Sequence, residues 1–120
     1  MAEHTFVNDL LAAIDRMDAR AFAAFLTPDA RFRFGNSPEI AGREAVQAAV
    51  GGFFKALKGV SHSLEDQWSL PDVAICTGIV TYTRHDDSTL TVPFANVLRL
   101  RQGGIHDYQI FTDNSALFGA

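Results

Sequence analysis

Apolar positions Phe6, Val7, Leu10, Leu11, Ile14 and Met17 recur at helical spacing, with Asn8, Asp9, Asp15 and Arg16 on the opposite side. That pattern predicts an amphipathic helix capped by Thr5. Asp18 can cap a second, shorter helix carrying Ala21, Phe22, Phe25 and Leu26, which Thr27-Pro28-Asp29 stops. Arg31-Phe32-Arg33-Phe34 alternates with period two and predicts a short strand over residues 30–34. After the loop Gly35-Asn36-Ser37-Pro38, Gly42 opens a third helix with Val46, Val50, Phe53, Phe54 and Leu57 along one stripe. Gly51 and Gly52 within it each cost roughly 1 kcal/mol relative to alanine, and such glycines are expected to allow close packing against a sheet.

The remainder reads as strand. A segment over residues 61–70 is followed by three long runs, residues 72–84, 89–101 and 104–112, separated by the tight turns His85-Asp86-Asp87-Ser88 and Gln102-Gly103. The order α, α, β, α, β, β, β, β predicts one α+β domain over residues 1–120. Strands about twice the usual five to six residues must curve strongly to fit a small domain. The expected architecture is therefore a strongly curved antiparallel or mixed sheet forming a cone, with the three N-terminal helices covering its concave face. The strands are apolar on both faces: Val92, Phe94, Leu98 and Leu100 alternate with Pro93, Ala95 and Val97. The helices can cover only one face, so the outer face is expected to pair with a second copy in a twofold dimer.

Composition narrows the function classes. Phe accounts for 10 residues against one Trp and two Tyr, so aromatic area goes to core, dry pocket or interface. A net charge of −4 with scattered basic residues argues against nucleic acid as a partner. Cys76 lies in the apolar run Val73-Ala74-Ile75-Cys76 and reads as a buried hydrophobe. No secretory start and no apolar run of membrane-spanning length is visible, which predicts a cytoplasmic protein without a membrane partner. No metal-ligand spacing, phosphate loop or nucleophile elbow appears, so neither a metal nor a cofactor is expected.

Three segments carry a family resemblance: Phe25-Leu26-Thr27-Pro28-Asp29-Ala30, Ile40-Ala41-Gly42-Arg43-Glu44-Ala45-Val46, and the tail from Gly103-Gly104-Ile105 through Tyr108, Phe111 and Asp113. In this order they resemble the nuclear transport factor two-like superfamily, which includes SnoaL-type polyketide cyclases, ketosteroid isomerases and limonene epoxide hydrolases. The resemblance implies the cystatin-like α+β roll and a pocket in the cone; it says little of activity, since this fold hosts enzymes and binding modules alike. At the position of the isomerase base stands Phe34, at that of the oxyanion tyrosine Leu10, and at that of its acid partner Asn96. The hydrolase acid, arginine and acid fall on Asn96, Phe94 and Ile110. Both substitution patterns argue against those chemistries.

The same alignment, with period-two alternation, predicts a pocket lined by Leu10, Ile14, Phe34, Leu64, Ile79, Thr81, Val92, Phe94, Asn96, Tyr108, Ile110 and Thr112. Asn96 stands out, because a buried amide without partners costs a few kcal/mol. It meets a ligand, a water or another polar side chain such as Tyr108 or Thr81. Tyr108 offers a hydroxyl to a carbonyl oxygen, or is a core aromatic. Trp68 either closes the mouth of the cone or belongs to the core. His62 alternates with Leu64 and points inward as a base or sits at the rim; Asp113 is a base or a cap for Asn114-Ser115-Ala116. His85-Asp86-Asp87 holds a cation or, as a hairpin turn where Asp bonds locally, none, and His106-Asp107, beside the Gly-Gly turn, is expected to be solvated. These residues predict a module binding a small hydrophobic molecule, oriented by Asn96, Tyr108 and Thr81. The alternative is a cofactor-free cyclase, isomerase or hydrolase acting on a hydrophobic carbonyl compound. A third reading is a cone filled by its own Phe side chains, with dimer assembly as the only role.

Overall fold

The computed structural model describes residues 6–102 and 104–118, so the Thr5 cap and Gly103 lie outside the described residues. The helices are α1 (Phe6–Asp15), α2 (Ala19–Ala23) and α3 (Arg43–Lys55). The strands are β1 (Leu26–Phe34), β2 (Ile40–Ala41), β3 (Gly59–Leu70), β4 (Val73–Thr83), β5 (Thr89–Arg101) and β6 (Gly104–Thr112). They form one sheet in the order β2-β1-β6-β5-β4-β3. Only β1 and β6 run parallel; every other neighbouring pair is antiparallel, so the sheet is mixed.

Helix α1 buries Val7, Leu10 and Leu11 of the stripe its periodicity marks out, together with Ala13 beside it, while Phe6, Ile14 and Met17 are half-buried. Asp18 caps α2 by accepting the Ala21 N–H at 3.0 Å. That helix is shorter than its apolar pattern suggests: Phe25 and Leu26 lie beyond its end. The Phe25 carbonyl accepts the Ile105 N–H at 2.8 Å, and Leu26 pairs with Ile105 as the start of β1. Pairing with β6 therefore overrides local helix preference. Register then shifts between Leu26 and Arg31, and Pro28, which has no N–H to donate, sits in the unpaired stretch. Strand β2 is too short to leave a period in the sequence. Gly51 is a second departure: a Cβ there would meet the Ala19 Cβ at 3.7 Å, so its neighbour is α2 and not the sheet.

Strand β4 alternates without a break. Ala74, Cys76, Gly78, Val80 and Tyr82 face the core, and Ile75, Thr77, Ile79 and Thr81 face out. Its partner β3 carries an extra residue: Leu64 pairs with Gly78, and the next pair is Asp66 with Thr77, so Glu65 is bulged. A bulge inverts the side-chain parity beyond it. His62 and Leu64 thus share the inner face with Val80 and Gly78, whereas Trp68 pairs with Ile75 on the outer face. Trp68 is 53% exposed and closes no cone. On that outer face it joins Leu70 and Phe111, also exposed, in rows that run through Ile75, Val97 and Ala95. Among the described residues, no helix is long and apolar enough to cross a membrane.

The bulge explains Gly78. A Cβ there would stand 2.1 Å from the Ser63 carbonyl oxygen and 3.1 Å from the Leu64 Cα. Gly78→Ala should therefore destabilise the fold by about 1–3 kcal/mol, as overpacking does. Gly52 is the control, since a Cβ there meets nothing within 4 Å; Gly52→Ala should stabilise by roughly 0.5–1 kcal/mol. Thermal unfolding of the two variants checks both signs.

Candidate functional site

The concave face of the sheet, the end of α1 and the inner side of α3 enclose a cavity of about 190 Å³. Aromatic rings build most of its wall, in two groups. Phe22, Phe32 and Tyr108 contact one another at 5.3–5.9 Å between ring centres. Phe34, Phe53 and Tyr82 do the same at 5.2–6.2 Å. The exposed Ser37, Pro38 and Ala49 also line the space and mark where it meets solvent. The Phe side chains therefore narrow the cone without filling it.

Polar groups in this wall are few. Asn96, 2% exposed, and Tyr108, fully buried, come from adjacent strands, and neither Asn96 Oδ1 nor the Tyr108 hydroxyl has a hydrogen-bond partner in the protein. Burial drives the Tyr108 and Tyr82 hydroxyls well above the usual phenol range, so both stay protonated. Burial likewise pushes the Cys76 thiol up to about 11, although hydrogen bonds from Asn96 work the other way.

The third polar element is a pair. His62 lines the cavity from β3, its side chain 10% exposed and its ring edge-on to Phe94 at 5.2 Å. Asp15, the last residue of α1, holds it twice. Its Oδ1 lies 2.6 Å from His62 Nδ1, and its Oδ2 accepts the His62 backbone N–H at 3.1 Å. An ionised carboxylate can only accept, so Nδ1 is the protonated nitrogen in this contact. Nothing in the local sequence links Asp15 to His62, 47 residues away.

Of the residues expected to line a pocket, Ile14, Phe34, Phe94, Asn96, Tyr108 and Ile110 meet around this cavity together with His62. Leu10 is fully buried in the core beside it, and Leu64 and Val92 pack against that core without reaching the cavity. Ile79 and Thr81 lie on the outer face, where Thr81 Oγ1 bonds Thr91 Oγ1 at 2.9 Å. The assumed parity of β4 was off by one, so Thr81 cannot orient a ligand or satisfy Asn96. The Thr112 hydroxyl donates to the Pro93 carbonyl at 2.8 Å. Asp113 lies outside the cavity and accepts the Ser115 N–H and hydroxyl, bonds that hold its carboxyl below the usual range. Asp86 in the β4–β5 hairpin accepts from Ser88 in the same way. Among the described residues no group of three or more His, Cys, Asp or Glu is placed to hold a metal ion.

This architecture, a curved open sheet wrapped around helices, is the nuclear transport factor two-like class, also called ketosteroid isomerase-like or cystatin-like. Residues 7–108 match the model of the SnoaL-like domain, and the chain belongs to that family. Among solved structures it is similar to a nuclear transport factor two-like protein of unknown function from Burkholderia pseudomallei (17% identity, 92% of this chain and 90% of that one, TM-score 0.82). It is also similar to a protein of ketosteroid isomerase-like fold from Catenulispora acidiphila, in complex with trimethylamine (16% identity, 92% and 86%, TM-score 0.82). A Jannaschia protein assigned as a SnoaL-like polyketide cyclase aligns at 16% identity over 98% and 94%, with a TM-score of 0.78. No curated protein matches the chain.

The raised Cys76 value carries a stability prediction. An acid whose folded value exceeds its unfolded one loses stability as pH rises, because the unfolded thiol ionises first. Between pH 9.0 and about 11, Cys76 should therefore remove up to about 2–3 kcal/mol. Denaturant unfolding of wild type and Cys76→Ala across that window should show the steeper decline only in wild type, with the tyrosine contribution common to both.

Proposed function

We propose that the cavity binds a small, largely apolar molecule of one or two rings that carries a hydrogen-bond donor and an acceptor. The observation that carries this reading is the pair of buried, unpartnered polar atoms, Asn96 Oδ1 and the Tyr108 hydroxyl, set in an aromatic wall. Each such group costs a fold about 1–3 kcal/mol when left unsatisfied, and a wall of Phe and Val could have been built without them. Asn96 Oδ1 accepts from a ligand O–H or N–H, and Tyr108 donates to a ligand oxygen. The size agrees, since an apolar space of about 150 Å³ already holds benzene. A ligand here gains most of its affinity from the rings and its orientation from the two polar contacts.

We further propose that the chain pairs through its outer sheet face with a second copy. The exposed Trp68, Leu70 and Phe111 supply the apolar centre. Arg99, Asp107 and Asp66 at its margins supply both signs of charge, which a twofold axis sets against each other. Sedimentation should show a dimer for wild type and a folded monomer for the double variant Trp68→Lys, Phe111→Lys; a monomeric wild type refutes this assembly.

Binding is tested with 2-naphthol and naphthalene, titrated by calorimetry. Wild type should prefer the naphthol by about tenfold, the worth of one good hydrogen bond at about 1.4 kcal/mol. Asn96→Leu should abolish that preference while unfolding at least as late as wild type, because it removes an unsatisfied buried oxygen. Equal affinity of wild type for both compounds would refute a polar contact from Asn96.

A further inference from the structure

We propose that the cavity takes its ligand as a cation: an aromatic molecule carrying a protonated aliphatic amine, whose N–H donates to His62 Nε2. This inference rests on the binding reading above and adds a charge and a third anchor to it. The charge balance of the wall points there. Asp15 accepts from His62 at both carboxylate oxygens, from Nδ1 at 2.6 Å and from the backbone N–H at 3.1 Å. Among the described residues no lysine or arginine pairs with that carboxylate, and none lines the cavity. Asp15 is also the last residue of α1, which has no basic residue in its final turn, so the negative end of the helix dipole adds to the carboxylate. One wall of an apolar space therefore carries negative potential, and the ligand that balances it bears one positive charge. The Asp15 side chain is 32% exposed, so water screens its direct field and its influence on the cavity passes chiefly through the His62 ring.

His62 is the group placed to make that contact. It lines the cavity and Asp15 does not, so the ring is held by its Nδ1 edge and Nε2 is the nitrogen left for a ligand. An imidazole with its proton fixed on Nδ1 accepts at Nε2, and an N⁺–H donor makes the stronger, charge-assisted form of that bond. The ring's place is fixed as well, since Phe94 meets it edge-on at 5.2 Å. Asn96 is the next inward residue on β5 after Phe94, about 7 Å along the strand. The His62 and Asn96 anchors thus stand on either side of one phenyl ring. That spacing suits a ligand with a hydroxyl at one end of a ring and an amine on a short alkyl arm at the other. The hydroxyl meets Asn96 and Tyr108, and the ammonium meets His62. Aromatic walls also favour a cation over its neutral counterpart, and Phe34, Phe53 and Tyr82 stand in this one. Asp15 acts through His62 and is a positioning residue.

The test compares three phenols by calorimetry at neutral pH. They are 4-(2-dimethylaminoethyl)phenol, which is protonated there, its carbon isostere 4-(3-methylbutyl)phenol, and 4-(2-trimethylammonioethyl)phenol, which is charged but has no N–H. All three keep the hydroxyl, so the Asn96 and Tyr108 contacts are common to the series. Wild type should bind the tertiary amine at least about tenfold tighter than the isostere, the worth of a charge-assisted hydrogen bond. The quaternary ion should lose most of that advantage. In the amine complex the His62 ring ¹⁵N shifts should report a proton on Nδ1 and none on Nε2. Asp15→Asn separates positioning from mere structure. The His62 backbone N–H keeps the amide oxygen, which turns the amide NH₂ toward Nδ1 and moves the ring proton to Nε2, where it cannot accept. That variant should bind the amine no better than the isostere, whose own affinity stays within about threefold of wild type and shows the fold intact. Equal wild-type affinity for amine and isostere overturns the cationic ligand and leaves the binding reading standing. So does a preference that survives Asp15→Asn, or binding of 2-naphthol with none of the three phenols. A quaternary ion held as tightly as the tertiary amine overturns the contact to Nε2. Wild type that binds neither 2-naphthol nor any of the three overturns both readings.

Discussion

Everything in the cavity depends on one close backbone approach, that of β3 to Gly78. The Ser63 carbonyl and Leu64 Cα come nearer to that position than any side chain allows, and this is where β3 gains its extra residue. A bulge bends a strand and increases its twist, which lets strands of 11–13 residues wrap a small domain. It also decides which side chains face inward. Before it, His62 and Leu64 join Val80 on the concave side; beyond it, Trp68 is passed to the convex side beside Ile75. Without that extra residue one alternation would hold along the whole of β3, and Trp68 would compete for the space His62 now borders.

The same wall shows where stability has been yielded. Most of it is aromatic and packs in edge or tilted geometries, the arrangement that ring quadrupoles favour. Three features run against that efficiency: the oxygen of Asn96, the hydroxyl of Tyr108, and the carboxylate of Asp15 at the C-terminal end of α1. Taken singly, each is a small penalty. Asn96 and Tyr108 stand in the cavity wall, and Asp15 touches it only through His62; local conflicts of this kind gather where a fold serves something other than itself.

Membership of the SnoaL-like family fixes the architecture and leaves the chemistry open. Of the positions that the resemblance aligns with charged groups of the isomerases and epoxide hydrolases, Phe34, Phe94 and Ile110 are apolar here and Asn96 is an amide, and all four are wall residues. The ionisable pair instead comes from the end of α1 and the start of β3.

The sequence alone determined the element order apart from the two-residue β2, the curved α+β roll and the apolar stripe of α1, because these follow from periodicity and strand length, which are local properties. It also marked Asn96 and Tyr108, whose polarity stands out within apolar runs. It could not determine the parity of β4, where Ile75, Thr77, Ile79 and Thr81 look as fit for the interior as Ala74, Cys76, Gly78 and Val80. With both faces apolar, only pairing with β3 and β5 selects one. The helical pattern through Phe25 and Leu26 likewise yielded to a strand partner 79 residues on, Ile105. The joining of Asp15 to His62 was decided by tertiary structure alone, since a bond between the end of a helix and a distant strand exists only once α1 has been laid across the sheet.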